Sequence, residues 1–294
     1  MYFNLYIRKL VDEFTLCIAS GLLEGNPEQL AWWLVESISG KTRVELYTEK
    51  YALSDEEIKR LESAFHDIVY RHKPFQYVVG TLPFCGLDLK VEYPVFIPRP
   101  ETEEWCLQLC KDLNVYADKR LRILELCTGS GAIALALAHR FPNFTVVAVD
   151  ITDHALELAR LNQQRNALVN VSFIKSDMYT TLTCEDRFDI IISNPPYLSE
   201  AEWEVVDKQI RFWEDKRAFV AQHNGLAFYE IILKGARSHL RSLSDDSFAF
   251  PRVVLEIGAS QADAVIQHAY NVGFSHVKVF QDSAGYDRIL YASF

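Results

Sequence analysis

The 294-residue chain lacks any uninterrupted apolar run long enough to span a bilayer, which argues against a membrane partner. Its first residues, Met1-Tyr2-Phe3-Asn4-Leu5-Tyr6, contain no basic region leading into an apolar core, so no signal peptide is expected. Its six cysteines, at 17, 85, 106, 110, 127 and 184, include no Cys-x-x-Cys pair. Free thiols in a reducing, cytoplasmic setting are therefore expected, with Cys106 and Cys110 on one helix face. The eight histidines show no metal-ligand spacing, so no metal is expected. His66 and His72 read as a pair on one helix. Positive charge is short as well. The formal net charge is −10, whereas a tight non-specific nucleic-acid binder is usually basic, so direct nucleic-acid binding is not expected. There is no internal repeat and no low-complexity tract.

What is present is an ordinary globular balance, 49% hydrophobic and 24% charged, with length enough for two domains. Residues 1–73 read as a small helical bundle that packs or recognises a partner. Leu10, Phe14, Cys17 and Ile18 form one apolar stripe ending near Gly21. Asn26-Pro27 starts a second helix and Gly40 stops it. Ser54 and Glu57 form a capping box opening a third, with the stripe Ile58, Leu61, Phe65 and Ile68. Residues 74–100 read as an ordered hairpin linker, with a short hairpin over 84–91 followed by the stiffening Pro94, Pro98 and Pro100. From 101 to 294 strand-like runs at 122–126, 145–149, 171–174, 188–192 and 253–257 alternate with helical stretches. That alternation predicts a parallel sheet with helices on both faces. The last two strands, 274–280 and 286–293, predict an antiparallel hairpin at one edge. The expected fold is α/β and Rossmann-like, with a mostly parallel seven-stranded sheet.

The first of these strands runs into Cys127-Thr128-Gly129-Ser130-Gly131-Ala132-Ile133-Ala134. The segment from Gly129 fits the loose pattern G-x-G-x-x-G/A, and Asp150 ends the next strand, where a carboxylate accepts bonds from ribose hydroxyls. Taken alone, this fits either a nicotinamide dinucleotide or S-adenosylmethionine. Glu125 separates the two. At the carboxyl end of the strand it would repel a pyrophosphate and attract the ammonium and sulfonium of S-adenosylmethionine. Asp177, in the turn after the third strand, suits the adenine amino group, with Met178 against the ring.

The fourth strand ends in Asn194-Pro195-Pro196-Tyr197. Two prolines fix φ and remove two backbone donors, and the residue before a proline is held extended. The Asn194 and Pro195 carbonyls and the Asn194 amide oxygen can then act as acceptors, and Tyr197 offers a flat ring. Acceptors gripping both N–H bonds of a weakly nucleophilic NH2 group expose its lone pair and strengthen as the nitrogen becomes positive. The task read from this corner is methyl transfer to an amino or amide nitrogen. A nucleic-acid amino methyltransferase and a non-catalytic module keeping the fold are the competing classes.

The order of strand, glycine-rich turn, acidic strand end and Asn-Pro-Pro-Tyr resembles the amino-directed S-adenosylmethionine methyltransferases. The flanking segments Pro74 to Gly80, Phe96-Ile97-Pro98-Arg99-Pro100-Glu101-Thr102-Glu103, Glu256-Ile257-Gly258 and Asp282 to Arg288 closely resemble the release-factor glutamine N5-methyltransferases of HemK type. That resemblance covers roughly residues 70–294. It implies as substrate the glutamine of the Gly-Gly-Gln loop of class-1 peptide-chain release factors, with a ribosomal-protein glutamine as the sibling alternative. It implies that Asn194 and the Pro195 carbonyl hold the amide and that Tyr197 packs on it. It also implies that Cys127, Thr128, Gly129, Ser130 and Gly131 cradle the cofactor, that Asp150 binds the ribose, and that Phe96 and Arg99 shape the pocket. The chain departs from the family pattern in three places: Cys127 stands for the usual first glycine, Glu125 for the usual aspartate, and Glu214 precedes Asp215 instead of proline. The 199–224 segment, with Trp203, Phe212 and Trp213, is expected to form a partner-binding lid.

Overall fold

The computed structural model describes residues 3–21, 23, 25–48, 51–183, 185–242 and 250–294, without the side chain of Phe3. The chain divides into two compact units. The first comprises Met1–Thr81 together with Asp207–Trp213, and the second Leu82–Val206 together with Glu214–Phe294.

The first unit is helical: α1 (Phe3–Ala19), α2 (Pro27–Ser39), α3 (Arg43–Thr48), α4 (Asp55–Tyr70) and α5 (Phe75–Val79). The expected signals operate. Asn26 accepts the Gln29 N–H at the start of α2, and Gly40 ends it at φ +67. Ser54 and Glu57 form the reciprocal capping box of α4. Leu10, Phe14, Leu34, Leu61 and Ile68 meet in one core. The sequence reading misses α3 and α5, and it carries α4 too far. The helix stops at Tyr70, so His72, at φ +53, lies beyond it and does not share a helix with His66.

The second unit begins at Leu82, inside the first strand of a hairpin, β1 (Thr81–Phe84) and β2 (Leu87–Lys90). Cys85 and Gly86, at φ +49 and +83, make the two-residue turn, so the hairpin starts three residues before the expected 84. Then follow α6 (Pro100–Leu113), β3 (Arg122–Leu126), α7 (Ala132–Arg140), β4 (Thr145–Asp150), α8 (Asp153–Arg165), β5 (Val171–Lys175) and β6 (Ile190–Ser193). The 199–224 segment forms α9 (Glu200–Val205) and a 3-10 turn at Lys216–Ala218 in this unit, and α10 (Lys208–Trp213), which belongs to the first. The chain ends with α11 (Ala227–His239), β7 (Val253–Glu256), α12 (Ala262–Asn271), β8 (His276–Gln281) and β9 (Asp287–Ser293).

The sheet order is β5-β4-β3-β6-β7-β9-β8, parallel throughout except for β9, which runs antiparallel to both its neighbours. The expected seven-stranded sheet is therefore present, with the second strand of the terminal hairpin inserted beside β7 and the first on the outer edge. Strand side chains alternate between two cores. Ile123, Val146, Ala148, Ile190, Ile192 and Val254 pack under α6, α7 and α8. Leu124, Leu126, Val147, Val149, Ile191 and Leu255 pack under α11 and α12. Both faces are covered, so β6 and β7 are buried along their whole length and read as continuous apolar runs. Cys17, Cys85, Cys106, Cys110 and Cys127 are free thiols, and Cys184 lies outside the described residues. Among the described residues no helix is long and apolar enough to cross a membrane.

Candidate active site

Strand order reverses between β3 and β6, and in such sheets ligands bind outside the carboxyl ends of the strands at that point. The glycine-rich turn and the Asn-Pro-Pro-Tyr corner both begin there. Ser193 pairs with Leu126 in the sheet, and its hydroxyl donates to the Leu126 carbonyl at 2.8 Å.

The turn between β3 and α7 is held from three sides. The Thr128 N–H donates to the Val149 carbonyl at 3.0 Å, and the Gly129 N–H to Asp150 Oδ2 at 2.9 Å. Asn162 on α8 is fully buried, donating to the Ser130 carbonyl at 3.1 Å and to the Lys90 carbonyl at 3.0 Å. Its Oδ1 accepts the Lys90 N–H at 2.6 Å, so one side chain joins the hairpin to the turn. Two glycines have different reasons. A Cβ at Gly129 would project into open space, whereas one at Gly131 would lie 3.1 Å from Ala159 and 3.2 Å from Leu135 and Phe173. Both have positive φ, +54 and +83. Cys127 adopts φ +58, the conformation a glycine holds at no cost, and its Sγ lies 3.7 Å from Met178 Sδ.

Glu125 is buried, and its Oε2 accepts the Thr128 hydroxyl at 2.5 Å and the Ala134 N–H at 3.0 Å. Both donors are neutral. Burial, with a smaller contribution from the Asp150 charge, pushes the Glu125 carboxyl up to about 8. Asp150 does more than the sequence reading assigns to it. Beyond Gly129, it accepts the Thr152 N–H at 3.0 Å and its hydroxyl at 2.9 Å. Thr152 in turn caps α8 through the Ala155 N–H. Asp177 is exposed in the turn after β5, and Met178 beside it is buried at φ +49.

At the second corner Pro195 and Pro196 are buried, and Asn194 and Tyr197 are half-buried. The Tyr197 carbonyl accepts Gln261 Nε2 at 2.8 Å, and a Cβ at Gly225 would fall 2.1 Å from that same oxygen. Asn194 Nδ2 donates to the Thr102 hydroxyl oxygen at 3.3 Å. Thr102 Oγ1 and Trp105 Nε1, both on α6, donate to Glu256 Oε2 at 2.6 and 2.7 Å. The sequence reading assigns no role to Thr102, Trp105, Glu256 or Gln261. One signal is present in the sequence: Glu256, like Glu125, is an acidic residue at or next to the end of a buried apolar strand. Phe96 and Arg99 stack, with the guanidinium 4.8 Å from the ring centroid, and Phe219 packs on Phe96 at 5.3 Å. Glu214 holds this segment, accepting the Ile97 N–H at 2.9 Å and Arg99 Nη2 at 2.5 Å. Burial raises the Glu214 carboxyl, and Arg99 opposes that rise. The departure at Asp215 has its own partner, since its N–H donates to the Pro94 carbonyl at 2.9 Å, which a proline could not do.

Residues 19–80 match the PrmC N-terminal domain and residues 108–215 the Methyltransferase small domain. A release factor glutamine methyltransferase of Thermodesulfovibrio yellowstonii is 33% identical over 84% of this chain and 86% of its own length. One of Streptococcus pneumoniae is 36% identical over 82% of this chain and 83% of its own. One of Flavobacterium psychrophilum is 31% identical over 98% and 99%. The chain belongs to the release factor glutamine methyltransferase family. Among solved structures, the hMettl16 catalytic domain in complex with the MAT2A 3'UTR hairpin 6 superposes with a TM-score of 0.55. It covers 82% of each chain at 16% identity, a likeness of fold alone. In this member of the glutamine methyltransferase family the expected site residues divide between the two corners. Glu125, Cys127–Gly131 and Asp150 surround the turn, with Met178 against Cys127, and Asn194–Tyr197 form the adjoining corner. Phe96 and Arg99 are joined instead to Glu214 and Phe219.

Proposed function

We propose that this chain transfers a methyl group from S-adenosylmethionine to the side-chain amide nitrogen, N5, of the glutamine in the Gly-Gly-Gln motif of class-1 peptide-chain release factors, in the cytoplasm. The observation that carries the reading is the adjacency of the two corners across the β3–β6 switch point, in a chain whose relatives bear that name over most of their length.

The residues at the turn fit the cofactor. Glu125 is a buried carboxyl group whose two hydrogen-bond donors carry no charge, so an arriving cation favours its ionised form. Open space faces Gly129, where a closely approaching ligand needs the absence of a Cβ. Glu125, the 127–131 turn, Asp150, Asp177 and Met178 would hold it. When bound, S-adenosylmethionine supplies an electrophilic methyl on a positively charged sulfur. Asn194 Oδ1 and the Pro195 carbonyl accept the two N–H bonds of the glutamine amide. That grip turns the nitrogen lone pair out of conjugation and grows stronger as the nitrogen gains positive charge. Tyr197 covers the amide plane and keeps water from it. Most of the acceleration comes from holding two reactants in line, and no strong base is required.

The test is direct. The purified protein is incubated with release factors, ribosomal proteins and DNA, and methyl-labelled cofactor. Label on a release-factor glutamine nitrogen is expected. Label confined to a ribosomal protein or to nucleic acid overturns the assignment.

A further inference from the structure

We propose that Thr102 and Glu256 are positioning residues that lock the Asn194 side chain with its oxygen toward the substrate, so that the site accepts a carboxamide and refuses a carboxylate. The inference rests on the assignment of Asn194 as the substrate grip and adds the device that orients it.

An asparagine amide presents acceptor lone pairs on one side and two N–H donors on the other, and the two ends are nearly the same size. Shape alone does not choose between them. The choice here is made by counting protons. Burial raises the Glu256 carboxyl, while the Thr102 and Trp105 bonds and the Arg288 charge favour its ionised form. The Trp105 indole has a donor and no acceptor, so its 2.7 Å bond takes a lone pair of Glu256 Oε2, and two donors converging on one oxygen are what a carboxylate accepts. Thr102 has a single hydroxyl proton, and its 2.6 Å bond commits that proton to the same oxygen. Only lone pairs of Thr102 then face Asn194. The 3.3 Å contact from Nδ2 satisfies them. Turning the amide over would set oxygen against oxygen at that distance. Thr102 and Glu256 are each only 2% exposed, so bulk water does not supply a replacement proton.

Asn194 Oδ1 is thereby left to the opposite side as an obligatory acceptor. A glutamine brings two N–H donors to it. A glutamate brings only acceptors, and its charge meets the oxygen in a partly buried place. Buried hydrogen-bonding sites reject analogues that cannot complete the bond far more strongly than apolar pockets reject a change of size. The three supporting residues sit on α6 and β7, rigid elements rather than loops.

The experiment uses the full chain and a purified release factor carrying either glutamine or glutamate at the Gly-Gly-Gln position. Turnover, KM, cofactor affinity by calorimetry and melting temperature are measured for the wild type, Thr102→Val and Thr102→Ser. Valine keeps the shape of threonine and removes the hydroxyl; serine restores it. Thr102→Val is expected to lower kcat by about tenfold, the size of one lost hydrogen bond, with cofactor affinity within about twofold and serine recovering most of the loss. The glutamate-bearing factor, used as a competitive inhibitor, is expected to bind the wild type at least about tenfold more weakly than the glutamine-bearing factor, and Thr102→Val to narrow that gap. If the valine variant does not fold, the wild-type preference decides, and equal binding of the two factors overturns the inference. Full activity of Thr102→Val, or a serine variant as slow as valine, also overturns it while the function stands. A wild type that methylates no release factor overturns the function, and this inference with it.

Discussion

The Asp150 carboxylate accepts the Gly129 N–H at 2.9 Å, joining the end of β4 to a turn 21 residues earlier in the chain. One oxygen shapes the turn, and the other holds Thr152 at the start of α8. A carboxylate has about four lone-pair sites, so these bonds still leave room for ribose hydroxyls. Asp150→Ala is expected to weaken S-adenosylmethionine binding by about 1–3 kcal/mol, and Asp150→Asn by less. Calorimetry showing unchanged affinity would remove Asp150 from the cofactor site.

Asn194→Ala removes the acceptor but none of the contacts that shape the glycine turn. Turnover should fall below detection while cofactor affinity stays within about threefold, since the loss is confined to contacts made as charge develops. Parallel losses in both measurements would contradict this division of labour.

The pH dependence follows from Glu125. Its carboxyl, pushed up to about 8 by burial, keeps its proton in the folded, ligand-free chain where an unfolded glutamate, near about 4.3, has lost it. The folded state thus binds more protons across that window, and this contribution to stability declines as pH rises from about 4.3 to about 8. Glu125→Gln should gain melting temperature relative to the wild type as pH rises through the window. A cation favours the ionised form, so wild-type cofactor affinity should climb toward pH 8 and the glutamine variant should lack that slope. Two flat profiles in the wild type would show that Glu125 titrates elsewhere.

The two glycines of the turn should respond differently to alanine. At Gly131 the new methyl meets three side chains at 3.1–3.2 Å in a left-handed backbone, a cost of about 2–5 kcal/mol from strain and overpacking together. At Gly129 only the backbone cost of about 1–2 kcal/mol applies, while the methyl enters open space that the proposed cofactor would approach. Melting curves should therefore single out Gly131→Ala, and calorimetry Gly129→Ala. Equal destabilisation by the two substitutions would refute the contrast.

What could be read in advance was what local sequence controls. Isoleucines at 190–192 announced a strand buried on both faces, and two prolines announced the corner after it. Asn26 and Ser54 announced helix starts because capping is a matter of three residues. The supports of the site were hidden because they join distant segments. The Thr102–Glu256 bond spans 154 residues and the Asn194–Thr102 bond 92, and no periodicity marks either. Helix α5 was missed because five residues carry too little pattern to outweigh the prolines around them. In the sequence Glu214 stands out only as part of a break in a motif, whereas its oxygens fasten Ile97 and Arg99 across more than a hundred residues.

Residues 207–213 belong with the helical unit although both of their neighbours belong with the sheet. Trp213 donates its indole N–H to the Arg71 carbonyl at 3.0 Å, and the Lys73 ammonium lies 5.5 Å from its ring. A single cut near residue 81 therefore cannot yield two whole pieces. The amino-terminal fragment would be missing a helix encoded more than a hundred codons downstream, and the carboxyl-terminal fragment would carry a tryptophan without its seat.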